Sequence, residues 1–544
     1  MKKTLAPNLS VRPSVPGFLI ALIMPFAAQA AIPAKGDWPE VKVIDMHTHV
    51  FNARDLPLTG VLNALGAPRA VAAVVAEAIL VSMKDEGSEA RREITMAEVE
   101  KPVIPALSEQ QRNILRDYVG KGRSEALDKA AVHLSVEPDV TLLAETLAKI
   151  GFPPDDHLGT PLSPQELIEP EKLGGALKGY ARFIGIMTKQ HGEIVAALQA
   201  SYPQADLFVH HMMDMAAAYD DAPTVSFSDQ VAAMQQLDRA YPGKLLHFTA
   251  FDPFRRSGAL ALVQKATKDY GAVGLKIYPP SGYRAAENKT YNFPEKPAWT
   301  NIWGRHRWNS RYAGWKEEDL DKTLQGAFAW AAKGGIPLFT HCTPKGFEAV
   351  SAHGNTPGYG MMADPFFWAA ALKKKENTGL RLCLGHSGGE AYWFSDPADD
   401  AKHKEKPPGD AWQFGNHVVE LCLMYPDVYC EVGYLDGILD PKQSAALVRR
   451  LQAVANLPSK NGKWRFGDKL MYGTDWHMIY KEPNFEQYLG KWDEVIKQVN
   501  KGEWRGAFFA GNAKKFLRLD KLAKDSRFTG EQRKEWDRLS SSIR

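Results

Sequence analysis

Val41–Val50 reads VKVIDMHTHV. Its apolar, β-branched opening is the pattern of a buried strand. It ends in His47-Thr48-His49. Side chains on a strand alternate faces, so residues two apart project together. Neutral imidazole is a common metal ligand, so two imidazoles at one strand end suggest a metal site. A lone His-x-His is weak evidence. Three later runs strengthen it by ending in a ligand-type residue: Ile336–His341 (IPLFTH), Leu380–His386 (LRLCLGH) and Leu470–Asp475 (LMYGTD). A fourth, Val273–Tyr278 (VGLKIY), places Lys276 inside an apolar strand, which is costly without a partner. Each alone reads equally well as a core histidine or an ordinary strand-ending Asp. In a (β/α) barrel, however, the C-terminal strand ends converge on one site.

The rest of the chain supplies the other barrel units. Candidate strands are Asp206–His210, Leu245–Phe251 and Val428–Val432. Candidate helices are Ser228–Tyr241, Ser257–Tyr270, Glu317–Lys333, Asn416–Met424, Asp440–Asn456 and Asn484–Val499. Regular strand–helix alternation favours a parallel sheet. The fold expected is α/β: a (β/α)8 TIM-type barrel with a large helical insertion after strand 1. An open doubly wound sheet is the alternative, but no glycine-rich phosphate loop follows the first strand.

The local wording then matters: DMHTHVF, GLKIYPP, FTHC, LGHSGG and YGTDW. A strand-1 His-x-His, strand-4 Lys, strand-5 His, strand-6 His and strand-8 Asp resemble the amidohydrolase superfamily. The wording is similar to its amidohydrolase-related branch, which includes aminocarboxymuconate semialdehyde decarboxylase and related hydrolases. Gly511-Asn512-Ala513 resembles the family's closing helix. The resemblance covers Val41–Val50 and roughly Asp206–Leu519. It is specific for the superfamily and unspecific for the substrate.

The resemblance implies a ligand set of His47, His49, His341 and Asp475. Three nitrogens and one oxygen suit one divalent ion, zinc best, with manganese or iron as alternatives. Asp475 would also take a proton from the metal-activated water, and His386 would act as base or polarise the substrate carbonyl. Other superfamily members carboxylate the strand-4 Lys to bridge two metals, so Lys276 and His386 join the ligands only if the site is binuclear. The function expected is metal-dependent hydrolysis of an ester, lactone or amide bond in a small molecule. Non-oxidative decarboxylation on the same scaffold is the first alternative. A small-molecule binding protein that lost turnover is the second.

Composition and ends set the context. Hydrophobic residues are 44 %, charged residues 24 % and net charge +3 with mixed signs, which gives no argument for a nucleic-acid partner. Lys2, Lys3, the apolar core Gly17–Ala27 and Ala28-Gln29-Ala30 form the pattern of a cleaved export signal over residues 1–30. The expectation is a periplasmic or secreted protein with no stable membrane span, whose homo-oligomeric state is open. The barrel would comprise 31–51 and 205–520, the insertion 52–204 and a charged C-terminal tail 521–544.

Within the insertion, Arg69–Met83 and Leu177–Ala200 read as helices. Ser108 with Gln111 and Ser163 with Glu166 read as capping boxes. Its position on the site face makes a lid one expectation. The loop Ser281–Trp315, dense in Trp and Arg, is a candidate for substrate contact. Four cysteines, Cys342, Cys383, Cys422 and Cys430, allow three pairings. Cys383 is expected to face the outer helices.

Overall fold

The computed structural model describes residues 41–83, 106–120, 138–150, 170–219, 221–288, 317–349, 358–404, 406 and 409–543. The expected export signal at 1–30, the expected Ser163 capping box and the aromatic part of the Ser281–Trp315 loop lie outside them.

Eight parallel strands follow one another in sheet order: β1 Ile44–Thr48, β2 Leu207–His211, β3 Leu245–Ala250, β4 Gly274–Ile277, β5 Leu338–Thr340, β6 Leu382–Leu384, β7 Val428–Glu431 and β8 Leu470–Met471. This is the expected (β/α)8 barrel. The strands are shorter than the apolar runs that announce them. β8 ends at Met471, and the chain beyond it reaches a left-handed residue at Asp475 (φ 50°). His386 likewise lies beyond β6, in a turn with φ 56°.

Closure is made by single contacts rather than by a ladder. The Met46 N–H donates to the Tyr472 carbonyl at 3.0 Å and the Asp475 N–H to the His47 carbonyl at 2.6 Å. Asp45, fully buried in β1, accepts from Thr474 Oγ1 at 2.6 Å, from the Thr474 N–H at 3.0 Å and from the His47 N–H at 3.1 Å. One carboxylate thus ties the first strand to the turn after the last.

The helices follow their end signals. Asp440 accepts from the Lys442 and Gln443 N–H groups, and Pro441 opens helix Pro441–Val454. Ser108 and Gln111 cap helix Glu109–Val119 reciprocally. The single helix expected over Leu177–Ala200 is two, Pro170–Met187 and His191–Ser201. The second begins afresh because the Glu193 carboxylate accepts the Gln190 N–H at 2.9 Å, a helix-start bond.

Helices of the insertion pack against the β8 loop. Arg182 donates to the Lys481 and Glu482 carbonyls, both at 3.0 Å, and Phe183 meets the His477 ring at 6.3 Å.

The barrel floor is a second finding. Ile44, Met46, Val209, Phe339 and Met471 form one buried cluster with Phe516, Phe528 and Trp536 of the C-terminal segment. Helix Gly530–Ser542 therefore has a charged outer face and a buried one, and Trp536 is fully buried. Trp536→Ala is the kind of core truncation that costs about 3–5 kcal/mol. Cys383 belongs to this lumen cluster, while Leu382 and Leu384 join the cluster that includes the outer helices. The expectation that Cys383 faces outward is corrected: β6 presents its two leucines to the helices, so the residue between them points inward. All four cysteines are free and buried. Among the described residues no helix is long and apolar enough to cross a membrane.

Burial pushes the Asp45 carboxyl up to about 7, against the pull of Thr474 and the His47 N–H. The folded carboxyl keeps its proton to higher pH than the unfolded one. Its contribution is therefore full below about 4 and lost as pH rises through about 7. Asp45→Asn carries no such titration. The melting-temperature gap between wild type and Asp45→Asn should shift in favour of Asn between pH 5 and pH 8. A gap independent of pH contradicts this.

Candidate metal centre

Every strand-end residue singled out in the sequence arrives at one end of the barrel. His47, His49, Lys276, His341, His386 and Asp475 line a single cavity, with Met213, Met215, Phe347 and Met478 among its apolar walls. The strand alternation that suggested His47 and His49 is modified locally. The register of β1 on β2 slips between Asp45 and Thr48, as a bulge does when it re-aims a side chain.

His47, His49 and Asp475 offer donor atoms within 4.8 Å of one another. Asp475 Oδ1 lies 3.8 Å from His47 Nε2 and 3.4 Å from His49 Nε2. The opposite nitrogens are engaged. His47 Nδ1 donates to Glu431 Oε1 at 3.0 Å, and His49 Nδ1 to the His211 carbonyl at 2.7 Å. Carboxylate and carbonyl oxygens only accept, so each ring carries its proton on Nδ1 and turns the Nε2 lone pair towards Asp475. Burial, then the Lys276 charge, holds both imidazoles well below the ordinary histidine range. Neutral imidazoles facing a carboxylate are the donor set of a divalent ion. The residues therefore fit the metal that the motifs imply.

Among the described residues donor atoms gather in this way twice, here and at His47, His386 and Glu431, and His341 belongs to neither set. Its Nε2 donates to the Lys345 carbonyl at 2.6 Å, and its Nδ1 faces His386 Nε2 at 3.1 Å. His386 in turn donates from Nδ1 to the Gly433 carbonyl at 2.9 Å. With those two carbonyl bonds in place, two lone-pair nitrogens point at each other beside the cavity. Such a pair calls for a proton or a cation between or next to it. Burial, then Lys276, pushes the His341 imidazole down to about 3, which disfavours the proton.

Lys276 Nζ stands 3.4 Å from His47 Nε2 and 4.3 Å from the centre of the Phe339 ring. Burial lowers it to about 8, opposed by Asp475 and Glu431. An ammonium thus faces the His47 Nε2 lone pair. No described residue of 52–204 lines the cavity. The insertion touches it from behind, through the Phe183–His477 contact, so the lid expectation finds no direct cover among the described residues.

Sequence reasoning missed Glu431. It is fully buried in β7, and burial raises its carboxyl to about 7 against the pull of the His386 and Gly433 N–H groups. The signal was present: an acid inside the apolar run VYCEV is as anomalous as the lysine in VGLKIY. Asp45 carries the same mark in IDMHT. His477, two residues after Asp475, also lines the cavity.

Backbone strain gathers at the same place. His386, Ser387, Tyr434 and Asp475 all have φ between 47° and 56° just beyond their strands. For residues other than glycine this costs roughly 1–3 kcal/mol each.

No protein-family model matches the chain, and no curated protein matches it. Among solved structures it is similar to a zinc-bound amidohydrolase from Burkholderia multivorans, at 13 % identity over 60 % of this chain and 87 % of that one, with a TM-score of 0.35. It is also similar to 5-carboxyvanillate decarboxylase from Sphingomonas paucimobilis, at 12 % identity, 62 % and 85 % coverage and a TM-score of 0.33. A 2,6-dihydroxybenzoate decarboxylase from Rhizobium aligns at 13 % identity, 58 % and 85 % coverage and a TM-score of 0.33.

A single donor set converging at His47, His49 and Asp475 predicts one equivalent per chain in a titration with zinc as the probe ion. His49→Ala and Asp475→Ala should each weaken zinc binding about a hundredfold or more, measured by competition with a chromophoric chelator. Lys276→Ala should retain the ion. Two equivalents in the wild type, falling to one in Lys276→Ala, would overturn the one-metal reading.

Proposed function

We propose that the chain is an exported, metal-dependent hydrolase acting on an ester, lactone or amide bond of a small molecule. The observation that carries the reading is the convergence of His47 Nε2, His49 Nε2 and Asp475 Oδ1, with both imidazoles locked from behind. The resemblance of the strand-end motifs to the amidohydrolase superfamily supports it. Zinc suits the nitrogen-rich set best, with manganese or iron as alternatives. His47, His49 and Asp475 would hold it, with His341 joining through Nδ1. When bound, such an ion supplies Lewis acidity and an acidified water.

The chain's own residues do the rest. Asp475 borders the ligand space and can accept the proton of an attacking water. His386 Nε2, a lone-pair nitrogen, faces the same cavity and is placed to act as a base, taking a proton and then returning it to the leaving group. Lys276 brings a positive charge to developing negative charge on the substrate oxygen. Met213, Met215, Met478 and Phe347 exclude water and favour an apolar substrate body. The export signal over residues 1–30 belongs to the same reading.

Lys276 also favours a second reading. A buried cation facing the cavity suits a carboxylate, as a non-oxidative decarboxylase requires.

Turnover of an ester, lactone and carboxylate panel by the zinc-loaded chain separates the two. Hydrolysis predicts bond cleavage without gas; carbon dioxide release from a carboxylate instead establishes the second reading. Under either, His386→Ala should keep its zinc and lose turnover about a hundredfold. Loss of zinc in that variant would make His386 a ligand and sink its assigned role.

A further inference from the structure

One buried carboxylate touches both halves of the site. Glu431 Oε1 accepts from His47 Nδ1 at 3.0 Å and from the His386 backbone N–H at 2.7 Å. Oε2 accepts from the Gly433 N–H, and the Glu431 carbonyl accepts from Ser387 Oγ at 2.8 Å. The side chain therefore reaches a residue of strand 1, while its carboxylate and main chain together pin the left-handed turn after strand 6.

Two glycines make room for it. A Cβ on Gly473 would lie 2.2 Å from Glu431 Oε2 and 3.1 Å from the His47 Cβ. A Cβ on Gly433 would lie 2.8 Å from Glu431 Oε2 and 2.9 Å from His47 Nδ1. Neither glycine has positive φ, so space rather than backbone conformation demands the missing side chain. A cradle built from β7 and the turn after β8 holds an acid where an apolar residue would pack at lower cost. That expense needs a reason beyond packing.

We infer that Glu431 is a positioning residue for the proposed metal site: it fixes His47 as the Nδ1–H tautomer and aims Nε2 at the ion, while anchoring the turn that presents His386. The inference rests on the proposed metal site, although not on the reaction that site performs. His47, His386 and Glu431 also bring donor atoms within 4.8 Å of one another, so a second ion held by Glu431 is the competing assignment. The hydrogen bonds decide against it. Both carboxylate oxygens already accept N–H donors, and His47 Nδ1 needs its proton to make its bond. A metal there would have to displace these donors.

Glu431→Gln keeps the shape and removes the charge, while placing an NH2 group against N–H donors. Gly473→Ala leaves the carboxylate intact and pushes it aside. Both variants should weaken zinc binding by 10- to 100-fold, the range expected when the hydrogen-bond partner of a ligand imidazole is lost. Both should retain one equivalent at saturating zinc, and the zinc-free proteins should still melt cooperatively. Nitrogen-15 NMR of histidine-labelled, zinc-free wild type should show His47 as Nδ1–H, assigned by loss of its signal in His47→Gln. In Glu431→Gln that signal should move towards a tautomeric mixture.

Unchanged zinc affinity in a folded Glu431→Gln overturns the inference. So does a wild type with two equivalents that falls to one in this variant, because Glu431 is then a ligand. Absence of zinc binding in the wild type would instead remove the metal-site reading itself. Lack of hydrolysis with zinc bound would leave the role of Glu431 standing and remove only the reaction.

Discussion

The site depends on strand 1 meeting strand 8. His47 and His49 leave β1, and Asp475 leaves the turn after β8, far away in sequence. Only closure of the barrel makes them neighbours. Closure here rests on few bonds: the Met46–Tyr472 and Asp475–His47 backbone contacts and the two Thr474 donors gathered by Asp45. The same seam that completes the sheet sets the spacing of the ligand atoms. Stability and chemistry are coupled at that seam, and strain at Asp475 is tolerated because its N–H is held by the His47 carbonyl.

Around the seam, each imidazole is defined by the oxygen behind it. Glu431 and the His211 carbonyl direct His47 and His49; the Gly433 and Lys345 carbonyls direct His386 and His341. All four rings are held by acceptors outside the cavity. Their remaining nitrogens then face inward together, which concentrates lone pairs in a small buried space. A cation suits that crowding of acceptors, and the Lys276 ammonium stands 3.4 Å from His47 Nε2.

Much of this was legible in the sequence. Apolar runs ending in His, His and Asp gave the barrel and brought together the residues that line the cavity. Two kinds of information were out of reach. Strand ends were overrun, because the turns after β6 and β8 adopt left-handed conformations at His386, Ser387 and Asp475, which residues other than glycine take uncommonly. The face of a short buried strand was equally hidden. In LCL every residue is apolar, so alternation could not say that Cys383 looks into the lumen. Glu431 was readable in principle, since an acid in an apolar strand is as costly as Lys276. It was passed over because it sits inside β7 rather than at a strand end.

The central claim is that His47, His49 and Asp475, with His341, bind an ion through nitrogen and oxygen alone. X-ray absorption at the zinc edge of the zinc-loaded chain tests this most directly. The account predicts a shell of nitrogen and oxygen at about 2.0–2.1 Å, with the outer scattering of at least two imidazoles. A sulfur scatterer at about 2.3 Å, or a spectrum without imidazole scattering, would contradict it.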